Sequence, residues 1–203
     1  MNAPSTHLAI LGTMSDLHRQ PISYDLNCLQ KIIADVSPDL LCAEITKEAW
    51  ERADFSQVSV EVREALAPTI ASMDIVLIPV APGPKQYADF TPNAGWRHRL
   101  VRNFDRLLRW GQIRANDVKT IHGFAFGAFC HTVCSLTEMF WTSDDRAAWD
   151  IQNKELVENI VRAVERDSGR RVLVAVQCQR LHRMVSLLRA HDNLFKMVDY
   201  QYL

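Results

Sequence analysis

Residues 7–45 read HLAILGTMSDLHRQPISYDLNCLQKIIADVSPDLLCAEI, and this stretch decides the fold. It opens with a short apolar run, His7 to Gly12, that ends at Gly12-Thr13 and reads as a buried strand. Tyr24 to Val36 follows as an amphipathic helix. Leu26, Leu29, Ile32, Ile33 and Val36 fall at helical spacing, Ser23 is the expected N-cap, and Pro38 stops the helix. Asp39 to Ile45 is a second apolar strand. Continuously apolar strands belong to sheets covered on both faces. Strand, helix and strand joined by short connections imply a right-handed crossover to a parallel neighbour.

The same rhythm continues outward. Val58 to Met73 reads as a second helix with Val62, Leu66, Ile70 and Met73 inward. Ile75 to Val80 (IVLIPV) is a third strand, closed by a turn at Pro82-Gly83-Pro84. The middle of the chain is helical. Trp96 to Trp110 puts Leu100, Phe104, Leu107 and Leu108 on one face and Arg99, Arg102, Arg106 and Arg109 on the other. Asn116 to Trp141 is a long apolar helix or a helix pair, with Gly123 and Gly127 marking close packing or a break. Trp149 to Arg166 is amphipathic and ends at Ser168-Gly169. Arg171 to Cys178 (RVLVAVQC) is a fourth strand, Leu181 to Ala190 a helix, and Phe195 to Tyr200 a short strand expected at a sheet edge. The pattern predicts an α/β fold with a mainly parallel sheet flanked by helices. It is read as one domain over residues 1–203, with a helical insertion between strands three and four over about 90–168.

Composition narrows the classes. The 203 residues are 48% hydrophobic and 23% charged, the balance of a globular chain, not of a disordered, collagen-like or disulfide-rich one. Lys+Arg is 23 and Asp+Glu 24, a formal net charge of -1. That balance disfavours a generally nucleic-acid-binding protein and leaves room for a local basic patch. Met1 to Ser5 shows no secretory signal, so a cytoplasmic location is expected. Thr120 to Thr137 lacks Asp, Glu, Lys and Arg and approaches the length of a membrane span, but His122 and His131 within it favour a buried helix, and no membrane partner is expected. The five cysteines are odd in number and form no CxxC pair, as in a reduced, structural set. Cys130 and Cys134 share a helix face, and a metal site there would need further ligands such as His122. The Walker A, GxGxxG and GxSxG signatures are absent.

Ligands of open α/β sheets bind beyond the carboxyl ends of the strands. That rule selects Gly12, Thr13, Ser15, Asp16 and His18 after strand one, and Glu44 after strand two. After strand three it selects Pro82, Gly83 and Lys85, and after strand four Gln177, Gln179, Arg180 and His182. Glu44 stands out, because a carboxylate in an apolar run is costly unless paired or metal-bound, and burial makes it a candidate acid or base. The plainer reading places it just outside the core, paired with an Arg or a helix N-terminus. His18, beside Asp16 and opposite Glu44, is suited to binding a divalent metal or shuttling a proton; alone it reads as a solvent-facing loop histidine. Glu61 and Glu64 read as exposed acids favoured by the dipole of their helix. The arginine row reads first as a solvated helix face, without interleaved aromatic residues, and second as a surface for an anion or nucleic acid. Trp96, Trp110, Trp141 and Trp149 are candidates for a partner surface.

The order LAILGTMSDLH, helix, PDLLCAEI, VEVREALAPTIASMDIVLIPV resembles the erythromycin esterase/ChaN/TIKI/TraB superfamily. The matching positions are Gly12 and Thr13, Glu44, and Glu61 with Glu64. NKELVENI (153–160) looks like the family's Asn/Arg-bearing helix, and RVLVAVQCQRLHRM (171–184) like its closing strand. The chain departs from the pattern where Ser15 and then His18 follow Gly12-Thr13 in place of an earlier histidine. It departs again at Gln177 and Arg180, which stand in the closing turn, and at Lys154, which stands for an Arg. The resemblance implies a hydrolase-like pocket for a small molecule or peptide. His18, Glu44, Glu61, Arg180 and His182 would act in it, and His18 and Glu44 would hold a divalent metal ion. The alternative is a non-enzymatic binding or scaffold protein on the same fold, with a homo-oligomer as one form.

Overall fold

The computed structural model describes residues 6–83, 85, 87–90, 95–115 and 117–203. Five strands form one parallel sheet: β1 (Thr6–Thr13), β2 (Leu40–Ala43), β3 (Val76–Pro79), β4 (Arg171–Gln177) and β5 (Phe195–Met197). Their order is β3-β2-β4-β1-β5, so the short last strand lies at an edge, as its sequence suggests. The expected parallel sheet is therefore present, and every pairing in it is parallel.

Both faces are covered, and side chains alternate between them because successive strand residues point to opposite sides. Ala9, Leu11, Leu41, Ala43, Leu173 and Ala175 pack with Leu29 and Ile33 of α1 (Leu26–Val36) and with Val62, Leu66 and Ile70. Leu8, Ile10, Leu40, Cys42, Val172, Val174 and Val176 pack with Leu156, Ile160 and Val164 of α7 (Ser143–Arg166). Met184 and Leu188 of α8 (Cys178–Leu188) complete that second layer. Burying one such aliphatic side chain contributes about 2 kcal/mol, which is why both layers are almost purely apolar.

Local chemistry sets the helix ends. Asp25, not Ser23, caps α1: its carboxylate accepts from the Cys28 N–H at 2.8 Å. Ser37 ends the helix in the left-handed region at φ 43, directly before Pro38. A five-residue helix, α2 (Lys47–Glu51), follows β2 and is capped by Thr46. The next helix is shorter than its periodicity implies. It opens at Val60, passes through a π turn over Val62–Leu66 and runs on as α3 (Ala67–Ala71). Pro68 has no N–H for the carbonyl of Glu64 four residues back, and Gln30 Nε2 donates to that carbonyl instead, at 3.1 Å.

Between β3 and β4 lie α4 (Gly95–Ala115), α5 (Val118–His122), α6 (Phe124–Glu138) and α7. The apolar segment is thus a helix pair that breaks at Gly123; Asn116 and Pro84 lie outside the described residues. Helix α6 is buried on one face only, since Phe124, His131 and Leu136 are exposed. It still packs closely on α4: a Cβ on Gly111 would lie 2.3 Å from Phe129 Cε1. Helix α7 begins six residues before the expected Trp149, because Thr142 caps it by accepting from Asp145 N–H. Among the described residues no helix is long and apolar enough to cross a membrane.

His122 ties this helical layer to the sheet by accepting the Gly12 N–H at Nε2, 3.2 Å away. Burial lowers its pKa from 6.5 to about 4, with only Asp199 opposing. A group whose folded pKa is depressed stabilises the fold above its unfolded value and loses that contribution as pH falls toward the folded one. Stability should therefore drop between pH 6.5 and 4 by up to about 3 kcal/mol from this residue. Denaturant unfolding across that range should show the loss in wild type and a flatter profile in His122→Gln.

Candidate functional site

The strand order creates the site. β4 lies between β2 and β1, with Ala43 opposite Ala175 and Thr13 opposite Gln177. Glu44, the residue after β2, consequently arrives beside the end of β4. Its Oε2 accepts the Gln177 N–H at 3.0 Å, and its Oε1 lies 2.6 Å from Arg180 Nε. Arg180 is fully enclosed. Nη1 donates to Asn153 Oδ1 at 2.7 Å, Nη2 to Gln152 Oε1 at 3.3 Å, and the guanidinium lies 3.7 Å from the centre of the Trp149 ring. Asn153 is itself held by donating to the Trp149 carbonyl. Burial draws the Arg180 pKa down, and the adjoining Glu44 charge pulls it back up. Of the two sequence readings of Glu44, the structure shows the carboxylate paired with an arginine.

Glu61 lies behind this pair. It is buried, not exposed, and accepts from the Thr13 hydroxyl at 2.8 Å. Desolvation raises its pKa above the usual carboxyl value, and the charge of Glu44 adds to the rise. Its own backbone N–H, Thr13 and Ser59 oppose the shift. Glu64, one turn on, faces outward and pairs with Arg19 and Arg63. A crevice of about 70 Å³ opens beside Glu44, lined among others by Gln57, Ser59, Gly83, Lys85 and Gln177.

The histidines expected at the site lie elsewhere. His18 is buried in a 3-10 turn, Ser15–Arg19. Its Nε2 accepts the Met14 N–H at 2.9 Å, so the proton sits on Nδ1, which donates to the Tyr24 carbonyl at 2.8 Å. Burial lowers its pKa, in keeping with a neutral ring. With both nitrogens engaged, His18 is a structural clasp and not a solvent-facing loop residue. The expected pairing of His18 and Glu44 on a divalent metal does not fit this donor set. Both Glu44 oxygens also have partners, and among the described residues no group of three His, Cys, Asp or Glu is arranged to hold a metal. Cys130, Cys134 and His122 are likewise not grouped as metal ligands among the described residues.

His182 lines a second cavity, of about 350 Å³, between α6 and α8, with His131, Glu138 and Arg183. Its ring lies 5.7 Å from that of His131 and fills the space a Cβ on Gly127 would need. Glu44 and Arg180 do not line this cavity. The structure thus brings Glu44, Glu61 and Arg180 together and leaves His18 and His182 apart. Gln152 escaped the sequence reading, whereas Trp149 was read as a partner-surface candidate and Asn153 as the start of the Asn-bearing helix of the resemblance; that all three hold Arg180 was not foreseen. The one further trace in the sequence is a polar pair, Gln152-Asn153, beside the inward stripe of α7. No protein-family model, no curated protein and no solved structure matches the chain.

Two stability tests follow. Arg180→Met should cost about 3–5 kcal/mol in denaturant unfolding, because it strands a half-buried carboxylate, and adding Glu44→Gln should recover much of that. Glu61 carries a raised folded pKa, so its contribution is full below the unfolded value and is lost as pH rises through the folded one. Glu61→Gln should accordingly melt higher than wild type near neutral pH, with the gain vanishing at about pH 3, below the carboxyl range.

Proposed function

We propose that the chain is a hydrolase-type protein whose reaction centre is the Glu44–Glu61 pair, acting on a small molecule or peptide at the carboxyl edge of the sheet. One observation carries this reading. Two carboxyl groups from different segments lie near one another in unlike surroundings, one ion-paired and open to a crevice, the other buried with its proton favoured. Environments that push two acids apart divide the roles of base and acid between them. Glu44 would take a proton from a water in the crevice, and Glu61 would hold the proton to be returned. Lys85, on the crevice wall, would meet negative charge developing on the substrate. The crevice admits a few waters but no drug-sized ligand, so the scissile group would dock at its mouth. No step is assigned to His18, His182 or a metal ion.

The resemblance to the erythromycin esterase/ChaN/TIKI/TraB superfamily supports the same edge, since Gly12-Thr13, Glu44 and Glu61 carry it and Thr13 bonds Glu61. The second reading is a binding protein on this fold, favoured by the narrow crevice and by an Arg180 wholly engaged inside the protein. A panel of ester, peptide and phosphoester substrates separates them. Turnover that falls on the order of 100-fold when Glu44→Gln is added to Arg180→Met, compared with Arg180→Met alone so that no buried arginine charge is left unpaired, is the expected result. Thermal stabilisation by the same compounds without turnover would give the site to binding.

A further inference from the structure

Helix α4 is a long, largely outward element that the crevice does not use. Its 21 residues carry Arg97, Arg99, Arg102, Arg106, Arg109 and Arg114 against the lone acid Asp105, a formal charge of +5. The whole chain is -1, so the remainder carries -6 and the basic charge is concentrated on this element. Val101, Leu108, Gln112 and Ala115 face inward, while Arg99, Arg102, Arg106 and Arg109 are all exposed. The row is not a plain solvated face, because apolar side chains stand among the arginines. Trp96 is 62% exposed, Trp110 51%, Ile113 45% and Leu107, expected inward, 42%. The tryptophans offered for a partner surface divide accordingly: Trp96 and Trp110 are outside, and Trp141 and Trp149 lie in the core. Phe140, against which Trp96 and Phe104 pack, carries the apolar zone toward Met139, itself 67% exposed.

We propose that this face of α4 docks on an anionic lipid surface, lying along it and not crossing it. Arginines reach lipid phosphates, and tryptophan and aliphatic side chains enter the boundary between headgroups and acyl chains. The two exposed tryptophans, about 21 Å apart along the helix, suit anchors at either end of such a contact. Single-stranded nucleic acid fits less well. Arg97 and Arg114 already sit on the Trp96 and Trp110 rings, at 5.7 and 4.6 Å, and a phosphate backbone has no use for Leu107 and Ile113. Arg109 also pairs with Asp16 at 2.7 Å, whereas among the described residues Arg99, Arg102 and Arg106 meet no carboxylate within ion-pair distance.

The test is co-sedimentation of the full chain with vesicles of phosphatidylcholine alone and of phosphatidylcholine mixed with phosphatidylglycerol, at low and high salt. Binding to the mixed vesicles only, weakened by salt, is expected. The triple variant Arg99→Gln, Arg102→Gln, Arg106→Gln should bind on the order of 100-fold less, about fivefold per arginine. Trp110→Ala should lessen the blue shift of tryptophan emission on binding, with unfolding midpoints unchanged in both variants. Four results would overturn the proposal: no binding to the mixed vesicles, equal binding to neutral ones, full binding by the triple variant, or displacement from the vesicles by single-stranded RNA that binds more tightly. A dimer in sedimentation equilibrium that Trp110→Ala dissolves would overturn it as well, by assigning the face to a second copy.

Discussion

The ion pair between Arg180 and Glu44 joins three separate parts of the molecule. Glu44 ends β2, Arg180 stands in the first turn of α8 after β4, and Asn153 and Trp149, which hold the guanidinium, belong to α7. An arginine so enclosed is tolerable only because every side of it is met by a carboxylate, an amide oxygen or an aromatic face. The helical layer between β3 and β4 is thereby locked to the carboxyl edge of the sheet. The same constraint shapes the chemistry, since it fixes one carboxylate as an ion-paired group at the crevice and leaves Glu61 to bear the cost of burial near a like charge.

Around this pair the polar groups inside the protein act mostly as joints. His18 bridges two backbone segments, His122 takes the Gly12 N–H, and the Tyr24 hydroxyl donates to the Gly12 carbonyl at 2.9 Å. Gly12 is thus held at both its N–H and its carbonyl just before Thr13, the residue that reaches Glu61. Rigidity in this part of the edge comes from neutral imidazoles and a buried phenol, and acid weakens the imidazole joints by charging them.

The two surfaces with functional promise lie on different elements. The crevice is small and built from strand ends, while the basic aromatic face of α4 is broad and faces solvent. Under the proposed function a substrate docks at the mouth of the crevice, and a lipid-docking α4 on the same chain would bring amphiphilic molecules near it.

The parallel α/β class was legible in the sequence, because doubly covered strands must be apolar throughout and helices must alternate with them. Glu44 was legible too, since a charge in such a run demands a partner. The edge position of β5 and the outward arginine row followed from length and periodicity. The strand order was not legible: nothing local tells β4 to enter between β2 and β1, yet that choice puts Glu44 beside Gln177 and Arg180. Glu61 reads as a surface acid on its own helix and becomes buried only because the fold sets it against Thr13 at the end of β1. His18 and His182 likewise owe their roles to Tyr24 and His131, neighbours supplied by folding. Periodicity reports which side of an element meets the core; only the packing of distant elements decides which polar groups meet one another there, and those meetings make the site.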